Sequence, residues 1–303
     1  MTVLEVIQRS TEFLQQKGVE SPRLQIELML GQVLNVPRLK LYLNFEHALN
    51  EAELNRLREM VKRRASREPL QHILGSTSFC GSEIKCSRAA LVPRPETELL
   101  AERGWQFLLE LHGRAGCPQP AMARRVEDTA PSQLSALDFG TGTGCVAIAL
   151  AVKAPKAVIH AIDISPEALA LAKENADKSS VAERITFYSG DGFAALPGGL
   201  QFDLMVSNPP YIASEEISTL QQEVCEFDPL LALDGGKDGL DFHRRIAKEA
   251  PVFLKRGGKL MVEFGDGQSE EVKKIFSDEN WIVEEIVADY SSRARILIAR
   301  PAV

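Results

Sequence analysis

At 303 residues, with 45% hydrophobic and 25% charged side chains, the chain has the composition of a soluble globular protein of roughly two domains at about 150 residues each. That balance excludes a collagen, a disordered chain and a disulfide-stapled miniprotein. Acidic residues outnumber Lys and Arg by 42 to 35, a formal net charge of −7. Proteins that live by gripping phosphate backbones are usually basic overall, so any nucleic-acid role here is local. Met1 runs directly into Thr2-Val3-Leu4-Glu5, without the basic start and the apolar run of about 7–15 residues that mark a secretory signal. The most apolar stretch, Cys145 to Val152, is far shorter than the ~20 residues a membrane span needs. The five cysteines, Cys80, Cys86, Cys117, Cys145 and Cys225, include no C-x-x-C pair, and no two of the five histidines stand at i, i+4. Reduced thiols in a cytoplasmic protein are therefore expected, with no metal site.

Residues 1 to about 75 read as helical throughout. Thr2 with Glu5 makes a capping box, and Val3, Val6, Ile7 and Phe13-Leu14 form a helical apolar stripe that ends at Gly18. Ser21-Pro22 predicts an N-cap and first helical residue for a second helix through Leu34. Pro37 opens a short third helix, and Asn50 with Glu53 caps a fourth that runs to about Ser66. Lys62-Arg63-Arg64 and Arg67 read as a solvated basic face of that helix, with contact to an acidic protein surface or to RNA as the alternative. From Ser76 to Cys86 a hairpin with a Gly81-Ser82 turn is predicted. A helix follows Leu91-Val92-Pro93, and Gly113 to Gln133, rich in Ala, Pro and Arg, reads as a surface insertion. Strand candidates are then Leu134–Phe139, Val158–Ile162, Ile185–Tyr188, Leu204–Ser207, Lys259–Phe264 and Arg295–Ala299. Their alternation with helical patterns predicts an open, mostly parallel α/β sheet.

Two strand ends carry chemistry. Asp138-Phe139-Gly140-Thr141-Gly142-Thr143-Gly144 closes the first strand and opens a helix, where glycines let backbone N–H groups approach a ligand. Asp163 closes the next strand, where an acid accepts hydrogen bonds from both ribose hydroxyls of a nucleoside. Gly142-x-Gly144-x-x-Ala147 also satisfies a loose dinucleotide pattern. The G-x-G-x-G spacing behind Asp138 instead points to S-adenosyl-L-methionine, and Asp191, in the Ser189-Gly190-Asp191-Gly192 turn, is placed to accept from an adenine amine. A fourth strand ends in Asn208-Pro209-Pro210-Tyr211. An amide or aromatic-amine nitrogen is a poor nucleophile because its lone pair is delocalised. The Asn208 side-chain oxygen and the Pro209 carbonyl can each accept one of its N–H groups, bonds that strengthen as positive charge develops on nitrogen. Pro210 stiffens the loop, and Tyr211 can stack on the planar target. The same four residues serve enzymes that methylate adenine or cytosine amines.

Pro93-Arg94-Pro95-Glu96-Thr97-Glu98, the Asp138–Gly144 turn, Ser207-Asn208-Pro209-Pro210-Tyr211-Ile212 and Leu231-Ala232-Leu233 through Gly236-x-Asp238-Gly239-Leu240 carry a wider likeness. Over nearly all of its length the chain resembles the bacterial peptide chain release factor glutamine N5-methyltransferases, which the first and last of these segments separate from DNA amino-methyltransferases. The resemblance implies an α/β class I, Rossmann-like methyltransferase fold with a seven-stranded mostly parallel sheet. It implies a helical domain over 1–75 that docks the release factor, a hairpin linker over 76–92 and a methyltransferase domain over 93–303. It further implies methyl transfer to the glutamine side chain of a Gly-Gly-Gln loop, by a monomer with no membrane and no nucleic-acid substrate. Gly140, Thr141, Gly142, Thr143, Gly144, Asp163, Asp191, Gly192 and Asn208 would hold the cofactor, and Asn208 to Tyr211 the glutamine. The segment with Arg94 and Glu96 either caps a helix or walls the cofactor's methionine end. Three features depart from the family: Asp228-Pro229 in place of Glu-Pro, Gly192 where a bulky side chain is common, and the length of the 113–133 insertion. The competing readings are a DNA or RNA amino-methyltransferase and a catalytically silent binding module.

Overall fold

The computed structural model describes residues 1–115 and 133–302, so nearly all of the expected insertion lies outside the described residues. Two units emerge: Met1–Ser76 together with Gln221–Phe227, and Thr77–Leu220 together with Asp228–Val303.

The first unit is helical: α1 (Val3–Gln16), α2 (Pro22–Leu34), α3 (Arg38–Leu41), α4 (Glu51–Ala65) and α5 (Leu70–Leu74), plus the short helix Gln222–Phe227. The Thr2/Glu5 and Asn50/Glu53 capping boxes are both formed, satisfying N–H groups that a helix start leaves without partners. Ser21 differs from expectation. It lies in the left-handed region at φ 46° and makes no side-chain cap bond, so Pro22 alone favours the start of α2. The apolar stripe of α1 (Val3, Val6, Ile7, Leu14) packs with Ile26, Met29 and Leu30 of α2 and Leu57 and Val61 of α4.

Buried charges in this unit are paired. Glu27, 1% exposed, accepts from Arg23, Arg38 and the Tyr42 hydroxyl. Burial alone would raise its pKa, but these donors hold it below the usual value. The expected solvated basic face of α4 is only partly that. Lys62 and Arg63 pair with Glu59 and Glu68, whereas Arg64 is 5% exposed, and both it and Arg67 bind Glu223 at 2.7 Å. A helical pattern shows which side chains share a face, but a partner 159 residues away is invisible to it.

The second unit begins with the hairpin strands β1 (Ser76–Phe79) and β2 (Ser82–Lys85), whose residues from Thr77 onward group with this unit. Its turn is Cys80-Gly81, both at positive φ, one residue earlier than expected. Two consecutive left-handed residues match the twist of a two-residue hairpin loop. Then come α6 (Pro95–Ala115), β3 (Ser135–Phe139), α7 (Cys145–Lys153), β4 (Val158–Asp163), α8 (Pro166–Lys178), β5 (Ile185–Ser189) and β6 (Phe202–Ser207). After Gln222–Phe227, which is α9 in chain order, follow α10 (Asp241–Glu249), β7 (Leu254–Glu263), α11 (Ser269–Asp278), β8 (Trp281–Ala288) and β9 (Ala294–Pro301).

The seven-stranded sheet has the order β5-β4-β3-β6-β7-β9-β8; β3 to β7 pair in parallel and β9 and β8 antiparallel. Both faces are covered, as parallel sheets require. Ala136, Ile159, Leu204 and Val206 pack with α6 and α7 on one face. Leu137, Ile162, Met205 and Val262 pack with α10 and α11 on the other. That double burial produces the apolar runs that mark these strands in the sequence.

The seventh strand, β8, is absent from the sequence-predicted strands. Its register shifts between Val283 and Glu285, and a bulge of this kind breaks the alternation by which a half-buried strand is found.

In the first unit, Glu223→Ala leaves Arg64 buried without its carboxylate. Arg64 keeps its bonds to Gln25 and the Glu68 carbonyl, so the expected loss is about 3 kcal/mol, the low end for breaking a buried pair. Urea unfolding of the full chain measures it.

Candidate active site

Register puts the two sequence motifs side by side. Phe139, the last residue of β3, is the Cα partner of Ser207, the last of β6, and the Ser207 hydroxyl donates to the Phe139 carbonyl at 2.8 Å. The Gly140–Gly144 turn and Asn208-Pro209-Pro210-Tyr211 therefore leave adjacent strands at their carboxyl ends, the side on which open α/β sheets bind ligands. A cavity of about 230 Å³ lies there, lined from both motifs, from the 89–94 segment and from α10.

The glycine turn has the backbone its sequence demands. Gly140, Gly142 and Gly144 have φ of 75°, 54° and 80°, a region costly for other residues. A Cβ on Gly144 would stand 3.0 Å from that of Ala172 on α8, so this glycine also sets how closely helix and turn approach. Asn175, fully buried on α8, donates to the Thr143 and Lys85 carbonyls and accepts from the Lys85 N–H, tying the turn to the hairpin.

Asp138 accepts from the Thr141 hydroxyl at 2.6 Å and the Ala147 N–H at 3.1 Å. Burial pushes its carboxyl up to about 6. Asp163 accepts from Gly142 N–H at 2.8 Å and Ser165 N–H at 2.9 Å, one on each oxygen. Each oxygen keeps a lone pair, which is what recognition of a vicinal diol needs. The bases that line the cavity are already paired: Arg94 with Asp228 at 2.6 Å, and Arg245 with Asp191 and Glu249. The hydrogen bonds of Asp138 and Asp163 come from neutral donors, and burial raises both carboxyls above their ordinary value.

Of the residues singled out in the sequence, Gly140, Thr141, Thr143, Asp163, Asp191, Gly192, Asn208 and Pro210 line the cavity. Gly142, Gly144, Pro209 and Tyr211 do not. The Asp191 carboxylate is engaged by Arg245, and a Cβ on Gly192 would lie 2.7 Å from the Arg245 guanidinium. Arg245 thus occupies the space that a larger side chain at 192 would fill. Tyr211 is half-buried, its hydroxyl hydrogen-bonded to Glu263 and its carbonyl accepting from Gln268 at 2.9 Å. The chain just beyond it is pinned by Ile212 N–H to the Leu233 carbonyl and Gly235 N–H to the Ile212 carbonyl. A Cβ on Gly239 would collide with the Tyr211 carbonyl oxygen and one on Gly236 with the Asp241 carboxylate, which explains both glycines of the Gly236–Leu240 segment.

Sequence reasoning assigned no role to Glu263, His243 or Arg245. Glu263, 1% exposed, accepts from the Thr97 hydroxyl at 2.9 Å, and Thr97 accepts from Asn208 Nδ2 at 2.9 Å. His243 Nε2 donates to the Glu263 carbonyl. The signal for Glu263 was a charge at the end of an apolar strand run; for Arg245, on an otherwise amphipathic helix, there was none. Among the described residues, no group of His, Cys, Asp and Glu is arranged to hold a metal ion, and no helix is long and apolar enough to cross a membrane.

A family model described as PrmC N-terminal domain matches residues 5–75, and one described as Methyltransferase small domain matches residues 122–236. A release factor glutamine methyltransferase from Geobacter sulfurreducens is 42% identical over 276 residues, covering 91% of this chain and 88% of that protein. One from Chlorobaculum tepidum is 38% identical over 298 residues, covering 97% and 95%. Among solved structures, the hMettl16 catalytic domain in complex with MAT2A 3'UTR hairpin 1 superposes with a TM-score of 0.53 at 14% identity, covering 86% of this chain and 84% of that one. That likeness is one of fold.

Glu263 titrates from about 7 in the folded protein against an ordinary 4.5, because burial disfavours its charge. The folded state then holds the proton more tightly, so this group's contribution to stability falls as pH rises from 4.5 to about 7 and stays lost above. Glu263→Gln is expected to gain on the order of 2 kcal/mol relative to wild type between about pH 5 and about pH 8, measured by urea unfolding at both values.

Proposed function

From the premise that the chain belongs to the release factor glutamine methyltransferase family, we propose that it transfers a methyl group from S-adenosyl-L-methionine to the N5 side-chain nitrogen of the glutamine in the Gly-Gly-Gln loop of peptide chain release factors. The observation that carries the reading is the single cavity shared by the Asp138–Gly144 turn, Asp163 and Asn208. When bound, S-adenosylmethionine supplies a methyl group on a cationic sulfonium.

This chain's residues do the rest. Asp163 would take the ribose hydroxyls on the lone pairs that Gly142 and Ser165 leave. The Gly140–Gly144 turn would give the cofactor close access to the backbone, with Thr141 and Thr143 beside it, and Asp138 anchors the turn through the Thr141 hydroxyl and the Ala147 N–H. Asp191, held by Arg245, would accept from the adenine amine, and Arg245 fills the space beside Gly192. Asn208 accepts one N–H of the glutamine amide through Oδ1, and the Pro209 carbonyl accepts the other. Both bonds gain strength as the nitrogen becomes positive, so they favour the transition state over the bound substrate. Holding the amide in one orientation supplies the remaining acceleration, with no strong base. Pro210 and Tyr211 make that loop rigid, Tyr211 through its anchors to Glu263 and Gln268. The Arg94–Asp228 pair closes one wall. The enzyme acts in the cytoplasm as a monomer, and residues 1–75 dock the release factor. The relatives' names do not favour the DNA or RNA amino-methyltransferase reading.

With unmethylated release factor and radiolabelled cofactor, Asn208→Ala is expected to lower kcat by roughly 10²–10³-fold while S-adenosylhomocysteine binding, read by calorimetry, is retained. Near-wild-type kcat in that variant contradicts the mechanism. Asp163→Ala is expected to weaken the same binding by at least about tenfold; unchanged affinity removes it from the ribose role.

A further inference from the structure

Glu263, Thr97 and Asn208 form a chain of hydrogen bonds that has a direction. Thr97 Oγ1 donates to Glu263 Oε2 and accepts from Asn208 Nδ2, each at 2.9 Å. A threonine hydroxyl has a single proton. With that proton on an ionised carboxylate, Oγ1 can meet Asn208 only as an acceptor. The amide must then turn its NH2 group to Thr97, which leaves Oδ1 directed elsewhere. Thr97 is 3% exposed and Glu263 1%, so water does not compete for these bonds. Asn208 and Thr97 both line the cavity, whereas Glu263 stands behind them.

We infer that Thr97, backed by Glu263, is the positioning residue that presents the Asn208 side-chain oxygen to the acceptor nitrogen. This rests on the reading of Asn208 given above and extends it to the Pro93–Glu98 segment. An asparagine free to rotate its amide would spend part of its time with two donors facing a target that also carries only donors, and that arrangement is unproductive.

A protonated Glu263 can itself donate to Thr97 Oγ1, which frees the hydroxyl proton for Asn208 Oδ1 and reverses the chain. The groups that face Glu263 decide when this happens. After burial, Glu96 beside Thr97 on α6 favours the protonated form, and Thr97, Arg295 on β9 and the Tyr211 hydroxyl favour the ionised one. His243 on α10 is itself held neutral by burial and touches Glu263 only through the backbone carbonyl. The balance lies at about 7, so orientation and activity rise together with pH across neutrality.

The test uses the full chain with release factor, in three variants. Thr97→Val keeps the shape and removes the hydroxyl; kcat is expected to fall about 10–100-fold, with KM for the protein and S-adenosylhomocysteine affinity little changed. Thr97→Ser restores the hydroxyl and most of kcat. Glu263→Gln removes the rise of kcat across neutral pH. A readout independent of turnover is the Asn208 side-chain NH2 resonance in ¹H–¹⁵N spectra, identified by its loss in Asn208→Ala. It is expected to titrate with a midpoint near 7 in wild type, and to shift in Thr97→Val but not in Thr97→Ser. Should Thr97→Val fail to fold, Glu263→Gln and the wild-type titration carry the test. An active wild type alongside a Thr97→Val enzyme of full kcat, or a pH limb and an amide resonance indifferent to Glu263→Gln, overturns the inference alone. Absence of transfer by the wild type overturns the functional reading and the inference with it.

Discussion

The parallel pairing of β3 with β6 is the constraint on which the site depends. The chain runs from β3 outward through β4 and β5, then returns to lay β6 on the other side of β3. That reversal opens a crevice between the strand ends, where ligands of such folds bind. Register fixes what faces it: with Phe139 opposite Ser207, a glycine turn and an Asn-Pro-Pro-Tyr loop from distant parts of the chain meet at one cavity. A slip of one residue would turn every side chain of β6 to the opposite face, burying Leu204 and Val206 in the wrong layer and moving Asn208 off the cavity. The apolar packing that defends the register therefore also defends the chemistry.

Around that crevice, buried polar groups do the positioning. Asn175 ties the glycine turn to the hairpin, Gln268 holds the Tyr211 carbonyl, and Glu263 backs Thr97 and Asn208. Each is nearly or partly removed from water, so each bond has a defined partner and its loss costs more than at a surface. Burial raises Asp138 and Glu263 toward neutrality, a tension in stability that the site carries in exchange for directional hydrogen bonds. The helical unit follows the same rule on its own account, with Glu27 and Glu223 each serving two arginines.

What the sequence made legible was local or periodic. The capping boxes at Thr2 and Asn50, the apolar runs of the doubly covered strands and the glycine and proline motifs all announce themselves within about ten residues. The misses are of the opposite kind. β8 was hidden by a bulge, and the hairpin turn moved by one because Cys80 accepts a left-handed conformation that its side chain ordinarily disfavours. Arg64 looked solvated because its carboxylate arrives from Glu223, far along the chain. At the site, Asp163 and Asn208 were readable from their places at strand ends. Thr97 and Glu263 act through a contact across 166 residues, and the pocketing of Asp191 by Arg245 has no sequence pattern at all.

The central claim is that this one cavity methylates a glutamine amide of a release factor. The most direct measurement is peptide mass spectrometry of an unmethylated release factor after incubation with this protein and S-adenosylmethionine. The account predicts a single methyl group on the glutamine of the Gly-Gly-Gln loop, absent when Asn208→Ala replaces the wild type. An unmodified glutamine despite bound cofactor, or a methyl group placed on another residue, would contradict it.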